Sequence, residues 1–371
     1  MRPYCVRRSA VLLILSVAAA FGQLATGHWK TNLSKKSIEL SELRSGGPPK
    51  DGIPALRDPK FVAPSQAAAW LGQQEPVIVV EHAGKVRAYP LQILMWHELV
   101  NDRMGDLPLL VSFCPLCNTA IVFDRRIRGE AHDFGVSGML RESDMVMFDR
   151  QTDSLWQQAT GEAIVGAYTG ERLTIYPSQT VSFETFAASF PEGLVMSRNT
   201  GHNRPYGKNP YAGYDSRAGF MAPVSMPRPL RAPKERIVTV SAGGRTKAYP
   251  FSYVRRKGVV AGTLGGTRYV VFHQPGTVSV LDKAKIAESR DVGSVGVFSP
   301  ELDGRRLSFR RRKGMIVDKE TASRWNVLGI ATEGPLRGKR LTPLDHGVYF
   351  AFAYLVFNPD AEIVGVTGLE N

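Results

Sequence analysis

The chain contains one Cys-x-x-Cys pair, Cys114-Pro115-Leu116-Cys117, that could bind a metal or exchange electrons. There are three cysteines in all, and the third, Cys5, precedes an N-terminal apolar run that is predicted to be removed. In an oxidising compartment two free thiols seldom persist unless they are paired, bound to a metal or in use. The residue after Cys117 is Asn118 and not histidine, so the pair lacks the covalent haem motif.

Three interpretations of the pair are open. The first is a metal site of Cys114, Cys117 and His97 that a further soft ligand completes for copper or zinc. The candidates for that further ligand are His132, Met139, Met145 and Met147. The second is a catalytic dithiol without metal, in which Cys114 attacks, Cys117 resolves and His97 stabilises the thiolate, and which needs a thiol-redox partner. The third is an inert disulfide. A disulfide that closes so short a loop stabilises the folded protein by only about 2 kcal/mol.

The elements around the pair favour a metal knuckle. Leu109 to Phe113 and Ala120 to Phe123 read as strands, which places the cysteines at the tip of a hairpin. In thioredoxin-like proteins the pair instead opens a helix that lowers the thiol pKa. A helix that begins at Pro90 and continues to Asn101 would put His97 and Asn101 on one face. Asn101 and Glu98 are then predicted to surround the ligands.

The sequence also repeats itself in degenerate form. Arg87-Ala-Tyr-Pro90 recurs as Lys247-Ala-Tyr-Pro250 (247 − 87 = 160), and Asp149-x-x-Thr-x-Ser-x-Trp156 recurs as Asp318-x-x-Thr-x-Ser-x-Trp325 (318 − 149 = 169). Features kept in both copies are expected to serve the fold, whereas features present once are candidates for function. The Asp-to-Trp segment is therefore predicted to be a turn held by side chains that ends in a core tryptophan.

Two segments of the first copy have no counterpart in the second. The cysteine pair aligns with His273 to Gly276, and Trp96 to Asn101 aligns with Arg256 to Ala261. The thiols, the imidazole, the carboxylate and the amide disappear together, which suggests that they serve one site. Three further acids, Asp144, Asp149 and Asp153, lack the glycine and the distal glutamate of a calcium loop, and we interpret them as hairpin-turn carboxylates.

The predicted fold class is mainly β, a β-rich α+β protein of two degenerate copies with a few short helices. Val77 to Val80 and Val270 to Phe272 are further strands of this kind, and Ser182 is predicted to cap a helix through Phe190. The predicted organisation is a signal peptide or N-terminal anchor at 1–27, an extended arm at 28–60, the first copy at 61–198, a Gly/Pro/Tyr-rich crossover at 199–233 and the second copy at 234–371.

Residues 1–27 have the order of a secretory signal. Arg2, Arg7 and Arg8 precede the apolar run Val11 to Ala20, and small residues follow. The run is shorter than the about 20 apolar residues of a spanning helix, and an uncleaved anchor is the competing interpretation. The pattern predicts an exported protein, either periplasmic or extracellular.

Much of the net charge of +13 lies in the second copy. From Arg231 to Lys313 there are 18 Lys and Arg against 6 Asp and Glu (18 − 6 = 12). Such a surface favours anionic partners, and the alternative function is a non-catalytic module that docks on an anionic envelope component through Arg310, Arg311 and Arg312. A solvated face is the plainer interpretation. Nucleic acid is disfavoured because no aromatic-interleaved recognition motif accompanies the charge.

Several motifs together resemble one known family. They are Ala88-Tyr-Pro-Leu91, Trp96-His-Glu98, Val100-Asn-Asp102, Ser112-Phe-Cys-Pro-Leu-Cys-Asn-Thr-Ala120, Phe134-Gly-Val-Ser-Gly138 and Met147-Phe-Asp-Arg-Gln-Thr-Asp-Ser-Leu-Trp-Gln157. The chain from about Asp58 onward resembles the prokaryotic domain-of-unknown-function family 3179. The resemblance implies an exported or envelope-associated bacterial or archaeal protein, and it implies no established reaction, cofactor or substrate.

Overall fold

Strands dominate the structure, a computed structural model that describes residues 29–364. Strands account for 42% of it and helices for 11%, which confirms the mainly-β class. Within this part of the chain no helix has the length and apolar character needed to cross a bilayer. The predicted leader, 1–27, lies outside the described residues.

The helices are short, and the strands are many. The five α-helices are α1 Pro64–Ala67, α2 Leu91–His97, α3 Phe183–Ser189, α4 Phe251–Lys257 and α5 Ala351–Leu355. The strands up to the crossover are β1 Arg44–Ser45, β2 Leu56–Arg57, β3 Phe61–Val62, β4 Pro76–His82, β5 Lys85–Pro90, β6 Leu99–Met104, β7 Leu107–Cys114, β8 Thr119–Asp124, β9 Arg126–Ile127, β10 Glu130–Ala131, β11 Phe134–Arg141, β12 Asp144–Asp149, β13 Leu155–Gln157, β14 Ala163–Val165, β15 Thr174–Tyr176, β16 Ser178–Ser182 and β17 Leu194–Met196. Those after it are β18 Arg236–Ala242, β19 Arg245–Pro250, β20 Val259–Leu264, β21 Thr267–Gln274, β22 Ser294–Phe298, β23 Glu301–Leu302, β24 Arg305–Arg306, β25 Phe309–Arg312, β26 Met315–Asp318, β27 Arg324–Trp325, β28 Ala331–Glu333, β29 His346–Phe350 and β30 Glu362–Ile363.

These strands form several small sheets. Three five-stranded sheets have the orders β1-β11-β12-β13-β14, β15-β8-β7-β6-β2 and β16-β4-β5-β17-β3. The later half of the chain forms β29-β18-β19-β30, β20-β21-β22 and β25-β26-β27-β28, and two isolated hairpins are β9-β10 and β23-β24. The runs predicted as strands all lie in strands, within β4, β7, β8 and β21.

One arrangement of elements occurs twice. β4 pairs with β5, α2 follows, and β6 then pairs with β7, while β18, β19, α4, β20 and β21 follow the same order. Val77 faces Pro90 in the first hairpin, and Ile237 faces Pro250 in the second. The strand registers therefore recur at the offset of the Ala-Tyr-Pro motif (250 − 90 = 160).

The helix after Pro90 is shorter than predicted. It ends at His97, and Asn101 lies in β6, so the prediction that His97 and Asn101 share a helix face is wrong. Glu98 ends the helix because its φ of 58° leaves the helical region and turns the chain into the strand. The Ser182 cap is confirmed, since its side chain accepts a hydrogen bond from the amide of Thr185.

The Asp-to-Trp segments have the predicted turn structure in both places. Asp149 Oδ1 accepts the amide of Thr152 at 2.8 Å, and its Oδ2 accepts the indole N–H of Trp156 at 3.1 Å. In the same way, Asp318 accepts hydrogen bonds from the amide of Thr321 at 2.6 Å and from the indole N–H of Trp325 at 2.9 Å. The carboxylate thus satisfies a turn amide and a buried indole together, which explains its retention at both sites.

The two halves share their hydrophobic cores. One cluster contains Phe113 and Trp156 of the earlier half together with Phe350 and Phe352 of the later half. A second cluster joins Phe186 to residues of the later half. A backbone hydrogen bond of 2.9 Å from Phe350 to the carbonyl of Cys117 ties β29 to the cysteine turn. The cysteine segment is therefore held by both halves.

The arm before β3 packs on β11. β1 pairs with β11, and the amide of Asp51 donates to the carbonyl of Val136. A bulge between Val136 and Met139 contains Gly138, whose φ is 77°. A Cβ there would lie 2.0 Å from the carbonyl oxygen of Pro48, so glycine is needed for the arm to approach.

Candidate functional site

The two cysteines lie in the turn between β7 and β8, as predicted. Cys114 is the last residue of β7 and pairs with Thr119, the first of β8. Asn118 closes the turn with a φ of 51°, and its amide donates to the carbonyl of Pro115 at 3.3 Å. The two cysteines are free thiols, with relative exposures of 1% and 0%. The sulfurs are therefore held by strand pairing, away from solvent.

Asp144 is the third member of the site. One of its carboxylate oxygens and the sulfurs of Cys114 and Cys117 all lie within 4.8 Å of one another. Asp144 opens β12 after a turn in which Glu142 and Ser143 have φ values of 53° and 58°. That turn brings the β11-β12 hairpin to the tip of the β7-β8 hairpin. Among the described residues this is the one group of three His, Cys, Asp or Glu side chains with such spacing.

The carboxylate of Asp144 is only half satisfied. Oδ2 accepts hydrogen bonds from Gln157 Nε2 at 2.6 Å and from the amide of Ala159 at 2.9 Å. Oδ1 is buried and has no nitrogen or oxygen hydrogen-bond partner, and the thiols of Cys114 and Cys117 are the groups that interact with this side of the carboxylate. A buried carboxylate oxygen is stable when it is hydrogen-bonded or bound to a cation. Gln157 and Ala159 fix the orientation that leaves Oδ1 available.

Glu98 lies beside this group. The left-handed backbone of Glu98 directs its side chain away from the helix, and its carbonyl accepts the amide of Phe113 at 2.8 Å, next to Cys114. Burial raises the pKa of the Glu98 carboxyl from 4.5 to about 8, a hydrogen bond to Tyr211 opposes this, and the charge of Asp144 adds to it. Glu98 was predicted to surround the ligands, and its charge acts on both Asp144 and Cys114.

Burial also controls the two thiols. It raises the pKa of Cys114, and it raises the pKa of Cys117 well above its ordinary value, in both cases with a contribution from the negative charge of Asp144. The pKa of Asp144 itself is raised by burial. Each of these groups therefore resists ionisation as long as no cation is near.

Within the described residues His97 does not join the thiols, so the prediction that it shares a metal ion with them is wrong. Its Nδ1 lies 2.7 Å from the carbonyl oxygen of Pro54, and its Nε2 lies 2.6 Å from the hydroxyl of Tyr206. Both ring nitrogens are thereby used, and the side chain links the arm to the crossover. Burial lowers the pKa of the imidazole to about 4, which keeps it neutral.

The other predicted surrounding residue, Asn101, serves the fold. Its amide nitrogen donates to the carbonyls of Leu56 and Phe134, and its oxygen accepts the amide of Phe134 at 2.7 Å. It thereby joins β2, β6 and β11. The side chain is fully engaged in backbone hydrogen bonds, and none of them reaches the cysteine turn.

Of the predicted further ligands, His132 lies outside this group. It lies 3.6 Å from Asp149 and contacts Tyr168, beside the Asp-to-Trp turn. Met145 and Met147 follow Asp144 in β12 and pack in the core cluster that also contains Cys114 and Cys117, whereas Met139 packs in a different cluster. Asp144, which was predicted to be a hairpin-turn carboxylate, offers the third ligand atom of the group.

The degenerate repeat contains a sequence signal that Asp144 belongs to the first copy alone. At the offset of the Asp-to-Trp motif, Lys313 stands where the first copy has Asp144 (144 + 169 = 313), while Asp149 is matched by Asp318. Asp144 has no acidic counterpart in the second copy, just as the cysteines have none, and Asp153 aligns with Ala322 in the same way (153 + 169 = 322). The distance of Asp144 from the cysteines along the chain hid the connection.

The crossover covers the site. Ser143 Oγ donates to the carbonyl of Ala222 at 2.7 Å and accepts the amide of the same residue at 2.9 Å. Tyr211 forms a hydrogen bond with Glu98. Burial is the main cause of the raised pKa of Tyr214, and the charges of the two thiols add to it. Both rings therefore lie next to the cluster. The residues 199–233 therefore form a fixed wall of the site.

The predicted anionic-surface residues lie elsewhere, on the β25-β26 hairpin. Arg310 and Arg312 are exposed, whereas the Arg311 side chain donates to the carbonyls of Gly314 and Arg255. The basic residues from Arg305 to Arg312 are distributed over two hairpins, β23-β24 and β25-β26. Only the outward side chains are free to meet a partner.

Comparison with known proteins gives a family and no function. No curated protein and no solved structure matches the chain. The model of one family, described as a protein of unknown function (DUF3179), matches residues 50–361. That range contains the cysteine turn, Glu98, Asp144 and the crossover, and it extends through both halves. The chain belongs to the DUF3179 family.

Proposed function

We propose that the protein binds one transition-metal ion through Cys114, Cys117 and Asp144. A cluster of buried acidic groups carries the proposal. Cys114, Cys117, Asp144 and Glu98 all ionise to anions, and all are buried, yet no Lys, Arg or His within residues 29–364 forms an ion pair with either carboxylate. Buried charges are stable when they are paired or coordinate a metal. Without a cation the raised pKa values oppose ionisation of these groups, and a bound cation stabilises their ionised forms.

The donor set suits zinc or copper(I). Two thiolates are soft ligands, which both ions accept, and zinc also accepts a carboxylate in a tetrahedral site. A closed site needs four ligands, and Glu98, which is hydrogen-bonded to Tyr211, is a further buried acid whose charge acts on Asp144 and Cys114. We assign the fourth position to Glu98, whose carboxyl loses its proton when the ion arrives.

The same features count against a dithiol couple. An attacking thiol needs a lowered pKa, as occurs at a helix N-terminus or beside a cation. Here burial raises the pKa of both thiols, and the chain after Cys117 enters a strand. A metal ion offers these sulfurs a stable state in an oxidising compartment without a disulfide.

We further propose that the protein is exported and acts in the cell envelope. The support is the order of residues 1–27, basic, then apolar, then small. Fractionation of cells that carry a C-terminally tagged full chain tests this, and N-terminal sequencing of the product distinguishes a cleaved signal from an anchor. A full-length product in the cytoplasmic fraction would contradict the proposal.

Metal analysis of the mature protein tests the site. Protein purified under reducing conditions is expected to bind one equivalent of Zn²⁺, and Co²⁺ in its place is expected to show sulfur-to-cobalt charge-transfer absorption. The Cys114→Ser/Cys117→Ser variant should lose both signals. Asp144→Asn keeps the size of the side chain and removes its charge, and it should weaken binding by at least about tenfold.

The matched control is Asp106→Asn, the same change at an exposed turn residue whose side chain is 87% exposed. It is expected to bind Zn²⁺ as the unaltered protein does. A mature protein that takes up neither ion would overturn the proposal. If such a protein also contained a Cys114–Cys117 disulfide that a dithiol reagent reduces, the redox interpretation would replace it.

A second candidate is the non-catalytic envelope-binding module. Its support is the outward placement of Arg310 and Arg312 on a two-stranded hairpin. Salt-dependent retention on an immobilised anionic polymer, lost in the Arg310→Gln/Arg312→Gln variant, is the expected result. Equal retention of variant and unaltered protein would exclude this role for the hairpin.

A further inference from the structure

A cleft of about 680 Å³ lies between the end of the crossover and α4. Its walls come from residues 215–220, 231–236, 251–255 and 290–292. A cleft of this size is in the range of sites for small organic molecules. It lies apart from the cysteine turn, and none of the proposed metal ligands lines it.

The cleft has an excess of positive charge. The basic lining residues are Arg217, Arg231, Lys234, Arg236, Arg255 and Arg290, and the acidic ones are Asp215, Glu235 and Asp291. Six cations face three acids (6 − 3 = 3). Charges of one sign that line a concave surface focus the field and raise the local concentration of counter-ions.

The three acids are already in use. Asp215, whose side chain is fully buried, binds both Arg236 and Arg290. Glu235 accepts the amide of Ser252 at 2.9 Å. Asp291 accepts backbone amides, among them Gly276 at 2.8 Å. They therefore neutralise the floor of the cleft and leave its rim positive.

The rim arginines have no such partners. Within residues 29–364, Arg217, Arg231 and Arg255 form no ion pair, and all three are exposed. The backbone around the first of them is fixed, because buried Lys234 donates to the carbonyls of Tyr214 and Arg217 at 2.9 and 3.0 Å. Three guanidinium groups without an ion-pair partner therefore lie at the rim of this positively charged cleft.

The lining also contains aromatic residues. Phe220 and Phe251 line the cleft, and the ring of Phe220 packs on Phe352 with centroids 4.5 Å apart. The cleft therefore offers a ligand both guanidinium groups and aromatic rings. That combination fits an anion with an organic part and is less suited to an inorganic ion alone.

We propose that this cleft binds a small phosphorylated organic molecule. Guanidinium groups bind phosphate oxygens in bidentate fashion, and three of them match a dianionic or trianionic group better than a single carboxylate. The site is separate from the proposed metal centre, so either proposal can fail while the other stands.

Isothermal titration calorimetry of the full mature chain at constant ionic strength tests the proposal. Glycerol 3-phosphate and inorganic pyrophosphate are the probes, and acetate is the monoanionic comparison. One saturable site for glycerol 3-phosphate is expected, with acetate at least about tenfold weaker, and binding of pyrophosphate without binding of glycerol 3-phosphate would contradict the need for an organic part. The same titration in Asp144→Asn should be unchanged, which separates the cleft from the metal centre.

The cleft variant is Arg217→Gln/Arg255→Gln, which should weaken phosphate binding by at least about tenfold. The matched control is Arg310→Gln/Arg312→Gln, which removes the same charge from exposed arginines outside the cleft and should change affinity by less than about twofold. All four side chains are exposed, so both variants are expected to fold, as unchanged thermal unfolding would verify. Equal weakening in the two variants, or binding to phosphatidylglycerol vesicles without binding of either soluble probe, would overturn the proposal.

Discussion

The variant Glu98→Gln measures the electrostatics of the buried acidic cluster. Glutamine keeps the shape of the side chain and the oxygen that faces Tyr211, and it cannot ionise. Burial first, and the charge of Asp144 in addition, raise the pKa of the Glu98 carboxyl from 4.5 to about 8 in the folded protein. In the metal-free protein this residue should therefore make the free energy of unfolding depend on pH.

The sign of this pH dependence follows from the number of protons that the folded and unfolded states bind. Between the unfolded pKa of 4.5 and the folded pKa of about 8, the folded state holds a proton that the unfolded state has released. The free energy of unfolding therefore falls as pH rises, by at most about 1.4 kcal/mol per pH unit. Across the whole window the Glu98 contribution is about 5 kcal/mol, fully present at the acidic end and lost above the folded pKa.

Urea unfolding in the presence of a chelator, from about pH 5 to about pH 8, gives the measurement. The difference between the unaltered protein and Glu98→Gln isolates this carboxyl from the other titrating groups, and it should change by several kcal/mol over the range. Glu192→Gln, the same change at an exposed loop residue, should run parallel to the unaltered protein. Parallel curves for Glu98→Gln would refute the assignment of Glu98 to a buried, cation-free cluster.

Three further results are expected. His97→Gln should bind Zn²⁺ with unchanged stoichiometry. Its free energy of unfolding in urea should fall by about 1–3 kcal/mol, because His97 joins Pro54 to Tyr206. Loss of the metal with unchanged stability would show that His97 is a ligand. Ser143→Ala should lower the free energy of unfolding by about 1–3 kcal/mol and increase proteolysis of the crossover, because two hydrogen bonds to Ala222 disappear. An unchanged cleavage pattern would contradict the conclusion that residues 199–233 form a fixed wall of the site. Asp318→Ala should lower the urea midpoint and leave Zn²⁺ binding intact, since this acid serves a turn and a buried indole, and a loss of metal binding would show that the two features are coupled.

Local sequence predicted the local structure well. Runs of β-branched and aromatic residues predicted strands, since such residues pack well on a pleated sheet. The cysteine pair was correctly placed at a hairpin tip, because polar and proline-containing positions separate two such runs. The Asp-to-Trp turns were predicted from residue types alone, because a carboxylate two or three residues from an amide closes a turn wherever it occurs.

The composition of the site depended on tertiary structure. His97 and Glu98 are neighbours in sequence, and the left-handed φ of Glu98 directs one toward the arm and the other toward the cysteines. Asp144 reaches the thiols because the β11-β12 hairpin lies across the β7-β8 turn. Neither the dihedral angle of one residue nor the packing of two distant hairpins is encoded by a short motif.

The sequence by itself determined which residues could do chemistry and which strands would carry them, since both depend on side-chain type and local spacing. Only the folded chain decided which of those residues meet. A metal-ligand distance of a few ångströms is set by the packing of several elements at once, and here residues from the crossover and the later half close the space around Cys117.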